Sequence, residues 1–205
     1  MLKVGLTGGL ACGKSFVGQA LAGYGCLWIQ ADELGHAALA PGGPAYEPVI
    51  REFGRDILTE SESGLKKIDR RVLAARVFGS PDRLARLNAL VHPAVVRREE
   101  ELIAEYAARR PDGIAVVEAA VLIEAGSRER FDRLILVTCA EEQQVERALL
   151  REGARIGDVR ARLSRQMPLE EKRKFADFVI DTSGTQEETL RQTRAVYEAL
   201  RRIES

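Results

Sequence analysis

GGLACGKS, residues Gly8 to Ser15, is the stretch that decides the fold, because it fits GxxxxGK[ST] at every specified position: Gly8, Gly13, Lys14 and Ser15. A loop of this pattern wraps phosphate groups with backbone N–H donors. It needs glycine where the chain enters positive φ or approaches the ligand without a Cβ. The helix that follows aims its partly positive end at the same phosphates. Gly8, Gly9, Leu10, Ala11, Cys12 and Gly13 therefore form a phosphate cradle. Lys14 is placed to neutralise the β- and γ-phosphates, and the Ser15 hydroxyl is a Mg²⁺ ligand beside them. The flanks agree: Lys3-Val4-Gly5-Leu6-Thr7 reads as a short buried strand, and Phe16, Val17, Ala20 and Leu21 recur at helical spacing until Gly23 and Gly25.

The whole chain, 205 residues, is long enough for one core carrying lobes inserted into its loops. Its 31 basic and 31 acidic residues cancel, so no molecule-wide field favours nucleic acid or an anionic membrane, and anion binding must be local. Cys12, Cys26 and Cys139 are odd in number and widely spaced. They suit neither a disulfide framework nor a CxxC metal site, and they point to a reducing cytoplasm. No secretory leader and no 18-residue apolar run is expected, so neither secretion nor membrane insertion is.

Beyond the first helix, Cys26-Leu27-Trp28-Ile29 reads as a second strand that ends in Gln30-Ala31-Asp32. Ligands of open α/β sheets bind at the carboxyl ends of strands, which makes Asp32 a candidate for acid/base work. The other reading of Asp32 is the N-cap of a helix from Glu33 to Leu39. After Pro41-Gly42-Gly43-Pro44, residues 46–111 read as helical with little strand character, an acceptor-binding lobe. Its last helix is expected from Pro93 to Ala108, with His92 at its start and a solvated run from Arg97 to Glu101. Gly113 to Val117 (with Glu118 at its end), Arg133 to Val137 and Phe178 to Asp181 are continuous apolar runs, as in strands covered on both faces. The expectation is a doubly wound, five-stranded parallel α/β sheet of the P-loop NTPase class, with a helical acceptor lobe and a lid insertion.

Residues 147–174 carry nine basic residues against four acidic ones, a local charge of +5 in a neutral chain. Such a stretch reads either as a lid supplying charge to a transferring phosphoryl group or as a solvated helix face. Arg147 and Arg151, four apart, share a face. The closing helix, Glu187 to Ile203, is expected to place Leu190, Val196, Tyr197, Leu200 and Ile203 against the sheet, and the loop 181–184 before it to receive an adenine ring.

No NKxD stretch and no LSGGQ-like signature is present, whereas a loop, an acceptor lobe with a base and an arginine-bearing lid are the parts of a small kinase. In order along the chain stand LTGGxxxGKS at Leu6 to Ser15, Ala31-Asp32 with His36 and Pro41-Gly42, Ile68-Asp69-Arg70 with Val77-Phe78, and Leu87 to Pro93. Glu118 to Glu124, Gln166, Lys172, Ala176-Asp177, Val179 to Asp181 and Ser183-Gly184 complete the set. Together these resemble the dephospho-CoA kinases. The resemblance implies a core of residues 1–30, 112–146 and 176–205, a CoA-binding lobe at 31–111 and a lid at 147–175. ATP and Mg²⁺ are the implied cofactors and dephospho-CoA the implied substrate. Asp32 takes the base role, with Lys14, Arg147 and Arg151 supplying positive charge.

Three positions depart from the family pattern. Gln30 stands where an auxiliary aspartate is frequent, and Ala120 where proline is. Phe16 replaces a second hydroxyl residue and offers phosphate only its backbone N–H. Cys12 stands where serine is frequent, and it reads either as a small residue tolerated in the loop or as a thiol near a helix N-terminus with a lowered pKa, shielded from alkylation by Mg-ATP. Two alternatives stay open at this point: a kinase of another small acceptor, such as a nucleoside monophosphate, and a regulatory protein that binds ATP without transferring phosphate. Oligomeric state is not legible.

Overall fold

The apolar runs expected as strands all enter one sheet. The computed structural model describes residues 1–60, 64–77, 79–150, 155–164 and 166–204, the last without its side chain. The chain begins with β1 (Leu2–Gly8), α1 (Lys14–Gly23) and β2 (Leu27–Gln30), then runs through α2 (Ala31–Ala38), α3 (Tyr46–Phe53), β3 (Leu58–Glu60), β4 (Lys66–Ile68), α4 (Arg70–Val77) and α5 (Pro81–Ala107). It continues with β5 (Ile114–Glu118), β6 (Arg133–Thr138), α6 (Glu141–Leu149), α7 (Ile156–Leu163), α8 (Leu169–Arg173), β7 (Phe178–Asp181) and α9 (Gln186–Glu204). Two compact units result, Met1–Gln30 with Ile103–Ser205 and Ala31–Leu102.

In the first unit the strand order is β2-β5-β1-β6-β7, and every neighbouring pair is parallel. β1 sits in the middle, with β5 on one side and β6 on the other. The chain reverses its direction across the sheet at β1, which puts the glycine loop at a topological switch point. Leu2, Val4 and Leu6 of β1 join Val17 and Leu21 of α1 and Val196 and Leu200 of α9 in one buried cluster. Complete burial of Leu21 and Leu200 stabilises the fold by about 1.5–3 kcal/mol each. Gly5 faces the opposite side, where an added Cβ would meet Leu134 at 2.8 Å and Leu122 at 2.9 Å.

The second unit has its own core, built from Val49, Ile50, Phe53, Ile57, Ile68, Leu73 and Val77. Besides its helices it contains an antiparallel ribbon in which Leu58 pairs with Ile68 and Glu60 with Lys66. Three-residue strands are too short to display an alternation, so the ribbon was not visible in a segment expected to be helical.

Several expectations are corrected. The helix expected to begin at Pro93 begins at Pro81 and continues through that proline, so His92 lies mid-helix and exposed. Proline removes one intrahelical hydrogen bond, which makes it a frequent but not an obligatory helix start. Glu99, expected in a solvated run, is 2% exposed. α2 starts at Ala31, two residues earlier than expected, so Asp32 is inside its first turn instead of capping it. On α9, Leu190 and Ile203 are exposed, and Thr189 and Thr193 join Val196 and Leu200 in the buried stripe. Their hydroxyls donate to the carbonyls of Thr185 (3.1 Å) and Thr189 (2.8 Å), four residues back, so these polar groups are buried without an unmet hydrogen bond. Among the described residues no helix is long and apolar enough to cross a membrane.

Candidate active site

The phosphate loop leaves β1 at Gly8, whose Cβ, if present, would stand 2.3 Å from the carbonyl oxygen of Val137 on β6. Only glycine lets the two backbones approach this closely. Gly13 precedes α1 with φ 78°, the left-handed region that glycine enters without strain. Among the described residues Ala11, at φ 54°, is the only non-glycine with positive φ. Such a conformation, of the order of 1–3 kcal/mol uphill, persists at sites that require it. Lys14 arches back over the loop, its ammonium donating to the carbonyls of Gly9 (2.9 Å) and Gly8 (3.4 Å). The charge thus stands over the cradle that phosphates would enter.

The Ser15 hydroxyl donates to Oε1 of Glu118 at 2.9 Å, and the indole N–H of Trp28 donates to Oε2 at 3.1 Å. Glu118 is 8% exposed, so this carboxylate is buried with one donor on each oxygen. Its strand lies directly beside β1, with Leu6 opposite Glu118. Sequence reasoning noted Glu118 at a strand end without giving it a role. The available signal was an acid at the carboxyl end of a buried parallel strand, the position where ligands bind. Trp28 reaches it because residue 18 is glycine, where a Cβ would meet the indole nitrogen at 2.3 Å. Gln30, the residue lacking the frequent auxiliary carboxylate, pairs in register with Glu118.

Arg147 is held by Thr182: its guanidinium donates to the Thr182 hydroxyl at 3.0 Å and carbonyl at 2.8 Å. That hydroxyl in turn donates to the carbonyl of Cys12 at 3.0 Å, so Arg147 is two hydrogen bonds from the phosphate loop. Arg151 lies outside the described residues, as does Arg165. Lys172, counted among the basic residues of the lid, is fully buried, donating to the Ala120 carbonyl at 3.0 Å and paired with Glu124 at 2.9 Å. It holds the segment after β5 and is not a charge available to phosphate. Arg173 and Lys174 pair with Glu170 and Glu171 on their own turn. The described residues thus show part of the lid charge compensated locally. Asp32, exposed in the first turn of α2, belongs to the second unit.

Cys12 is buried in the phosphate loop with its Sγ 3.4 Å from Sγ of Cys139, the residue that follows β6. The expected low pKa of Cys12 is corrected. Its hydrogen bond with Cys139 and its burial push the thiol up, and the charge of Lys14 only partly opposes them. Cys139 is the lowered member of the pair, to about 7. The hydrogen bond between it and Cys12 acts first, and Arg147 and the Thr182 hydroxyl add to it against burial. Cys26 is pushed up to about 12 by burial.

With this geometry established, the family model described as dephospho-CoA kinase matches residues 2–188. A dephospho-CoA kinase of Geobacter metallireducens is 42% identical over 198 residues, covering 96% of each chain. A crystal structure from Thermus thermophilus superposes with a TM-score of 0.78 at 31% identity, covering 97% of this chain and 96% of that one. The dephospho-CoA kinase of Campylobacter jejuni gives 0.68 at 25% identity, covering 99% and 98%.

Proposed function

The chain belongs to the dephospho-CoA kinase family, and on that footing we propose that it transfers the γ-phosphoryl group of ATP to the ribose 3′-hydroxyl of dephospho-CoA, giving CoA and ADP, the last step of CoA biosynthesis. The observation that carries this reading is the family match over residues 2–188, which includes the phosphate loop, Asp32, Glu118 and Arg147. A cytoplasmic setting belongs to the same reading, supported by three free, buried cysteines.

Phosphoryl transfer asks a protein chiefly for position and charge. The backbone N–H groups of Gly9 to Phe16 receive the β- and γ-phosphates, and Lys14 exchanges its contacts with Gly8 and Gly9 for phosphate oxygens. Asp32 accepts the proton of the 3′-hydroxyl as its oxygen forms the bond to γ-phosphorus and the bond to the ADP oxygen breaks. Arg147 adds charge at the donor, and Arg151 is assigned the same role from its spacing. The 147–175 segment acts as the lid and residues 31–111 as the CoA-binding lobe.

Ser15 and Glu118 fit Mg²⁺. They offer hard oxygen donors 2.9 Å apart beside the phosphate cradle, and Mg²⁺ is usually held by one or two such groups together with substrate phosphates. Bound there, the ion neutralises phosphate charge. Ser15 holds it, and Glu118, kept in place by Trp28, supplies the carboxylate.

The test is ADP release from Mg-ATP with dephospho-CoA as acceptor, beside AMP, CMP and shikimate. CoA found as product only with dephospho-CoA supports the assignment. Turnover with another acceptor alone overturns the substrate, and ATP binding without turnover overturns the kinase reading.

A further inference from the structure

We propose that Cys12 and Cys139 are a redox modification site, forming a reversible disulfide that closes the phosphate loop to nucleotide. The two sulfurs stand 3.4 Å apart, one in the loop and the other just after strand β6. No step of the proposed transfer uses either thiol. A disulfide has an S–S length of about 2.05 Å, so the sulfurs must close by about 1.3 Å from their 3.4 Å separation.

The loop is the side that moves. Cys139 follows a strand paired on one edge with β1 and on the other with β7, which fixes its backbone. Cys12 lies in a turn between Ala11 and Gly13, both at positive φ. Its carbonyl is tied to the Thr182 hydroxyl and its amide to the Gly9 carbonyl at 3.4 Å. Drawing Cys12 toward β6 shifts the N–H groups that must converge on phosphate. Nucleotide and disulfide would then compete for the same loop groups.

Access comes from the side of Cys139. It lines a cavity of about 1160 Å³ with Gly9, Gln144, Leu163 and Met167, large enough for a small peptide disulfide. Cys12, fully buried, is reached only through its partner. The oxidant is therefore a low-molecular-weight disulfide. The Cys139 thiolate attacks one of its sulfurs, the external S–S bond breaks, and one small thiolate leaves. Cys12 then attacks the Cys139 sulfur, and its proton passes to the second small thiolate as that group is expelled. Two protein thiols are oxidised, and the external disulfide is reduced to two thiols.

The experiment treats the purified protein with oxidised glutathione at about pH 8, which favours the thiolate that attacks a disulfide. Tryptic digestion without reductant reads the linkage, and equilibrium ATP binding reads its consequence, neither of which depends on the acceptor. The expected result is peptide Val4–Lys14 joined to peptide Leu134–Arg147. ATP binding should weaken by about 10-fold or more, since the loop N–H groups provide much of the phosphate affinity, and dithiothreitol should restore it. Prior Mg-ATP should slow the linkage. Cys139→Ser should give no linked peptide and the same ATP affinity with and without oxidant. A mixed glutathione adduct on Cys139 with no linkage to Cys12 overturns the proposal, as does a linked protein that binds ATP as tightly as the reduced one. The dithiothreitol arm on the unaltered protein decides the matter without any variant.

Discussion

Ser15, at the start of α1, donates to Glu118 at the end of β5 across 2.9 Å, joining the glycine loop and its helix to the strand beside β1. Glu118→Gln keeps the shape and the hydrogen bond but removes the negative charge beside Ser15. The Mg²⁺ concentration needed for half-maximal turnover should rise by about 10–100-fold, the usual effect of altering a group in or next to a metal shell. ATP affinity without metal should change little. An unaltered Mg²⁺ titration would make Glu118 a support for the helix start alone.

Trp28 is the only tryptophan in the chain and donates to the other oxygen of Glu118 at 3.1 Å. Trp28→Phe leaves that buried oxygen unmatched, and hydrogen bonds to charged groups contribute about 1.5–3 kcal/mol. Urea unfolding of the variant should show a loss of this order, together with a weaker response to Mg²⁺. In the unaltered protein the indole emission should change as Mg²⁺ and ATP bind together. Emission indifferent to the ligand would mean that Glu118 stays in place throughout.

Asp32→Asn should lower kcat by about 10²-fold or more, the usual scale for a lost general base, while ATP affinity stays close to that of the unaltered protein. The residue is exposed in the first turn of α2, so the substitution removes no buried contact. Near-normal turnover would leave Asp32 with a helix-start role only.

The five sheet strands were legible because each is buried on both faces and therefore reads as an unbroken apolar run. The phosphate loop was legible because phosphate cradling restricts residue types at fixed spacing. Trp28, Gly18 and Glu118 were not, since they come from a strand, a helix and a second strand and meet only through parallel pairing. Lys172 misled in the opposite direction. A lysine among eight other basic residues looks solvated, and nothing local shows that Glu124 and the Ala120 carbonyl await it in the interior. For Cys12, only the low-pKa reading fails, and nothing local could show it, because its partner is 127 residues away.

Lys172→Met tests that buried pair. The ammonium is fully enclosed and Glu124 is 20% exposed, so removing the cation strands a carboxylate in a largely dry place. Breaking such a pair costs about 3–5 kcal/mol, and the partial exposure of Glu124 puts the expected loss near the lower end. Glu124 also accepts from the Met167 amide at 3.1 Å, so the segment before α8 should loosen with it. Urea midpoints measure the loss, and restoration by the double variant Lys172→Met with Glu124→Gln would identify the uncompensated charge as its cause.

Alkylation of Cys139 by iodoacetamide should rise as pH passes through about 7, because the thiolate is the reacting form and the group is lowered to that value. The groups facing it set the sign. The hydrogen bond with Cys12 and the charge of Arg147 favour the thiolate, the Thr182 hydroxyl assists, and burial and Asp181 oppose. Below that pH the proton returns and the rate should fall about tenfold per unit. Cys26, pushed up to about 12 by burial, should remain unlabelled over the same range. Arg147→Met removes one of the favourable charges, so its labelling curve should move to higher pH. A curve centred near the ordinary thiol value in the unaltered protein, or labelling of Cys26 ahead of Cys139, would show that Cys12 and Arg147 do not share the proton balance in this way.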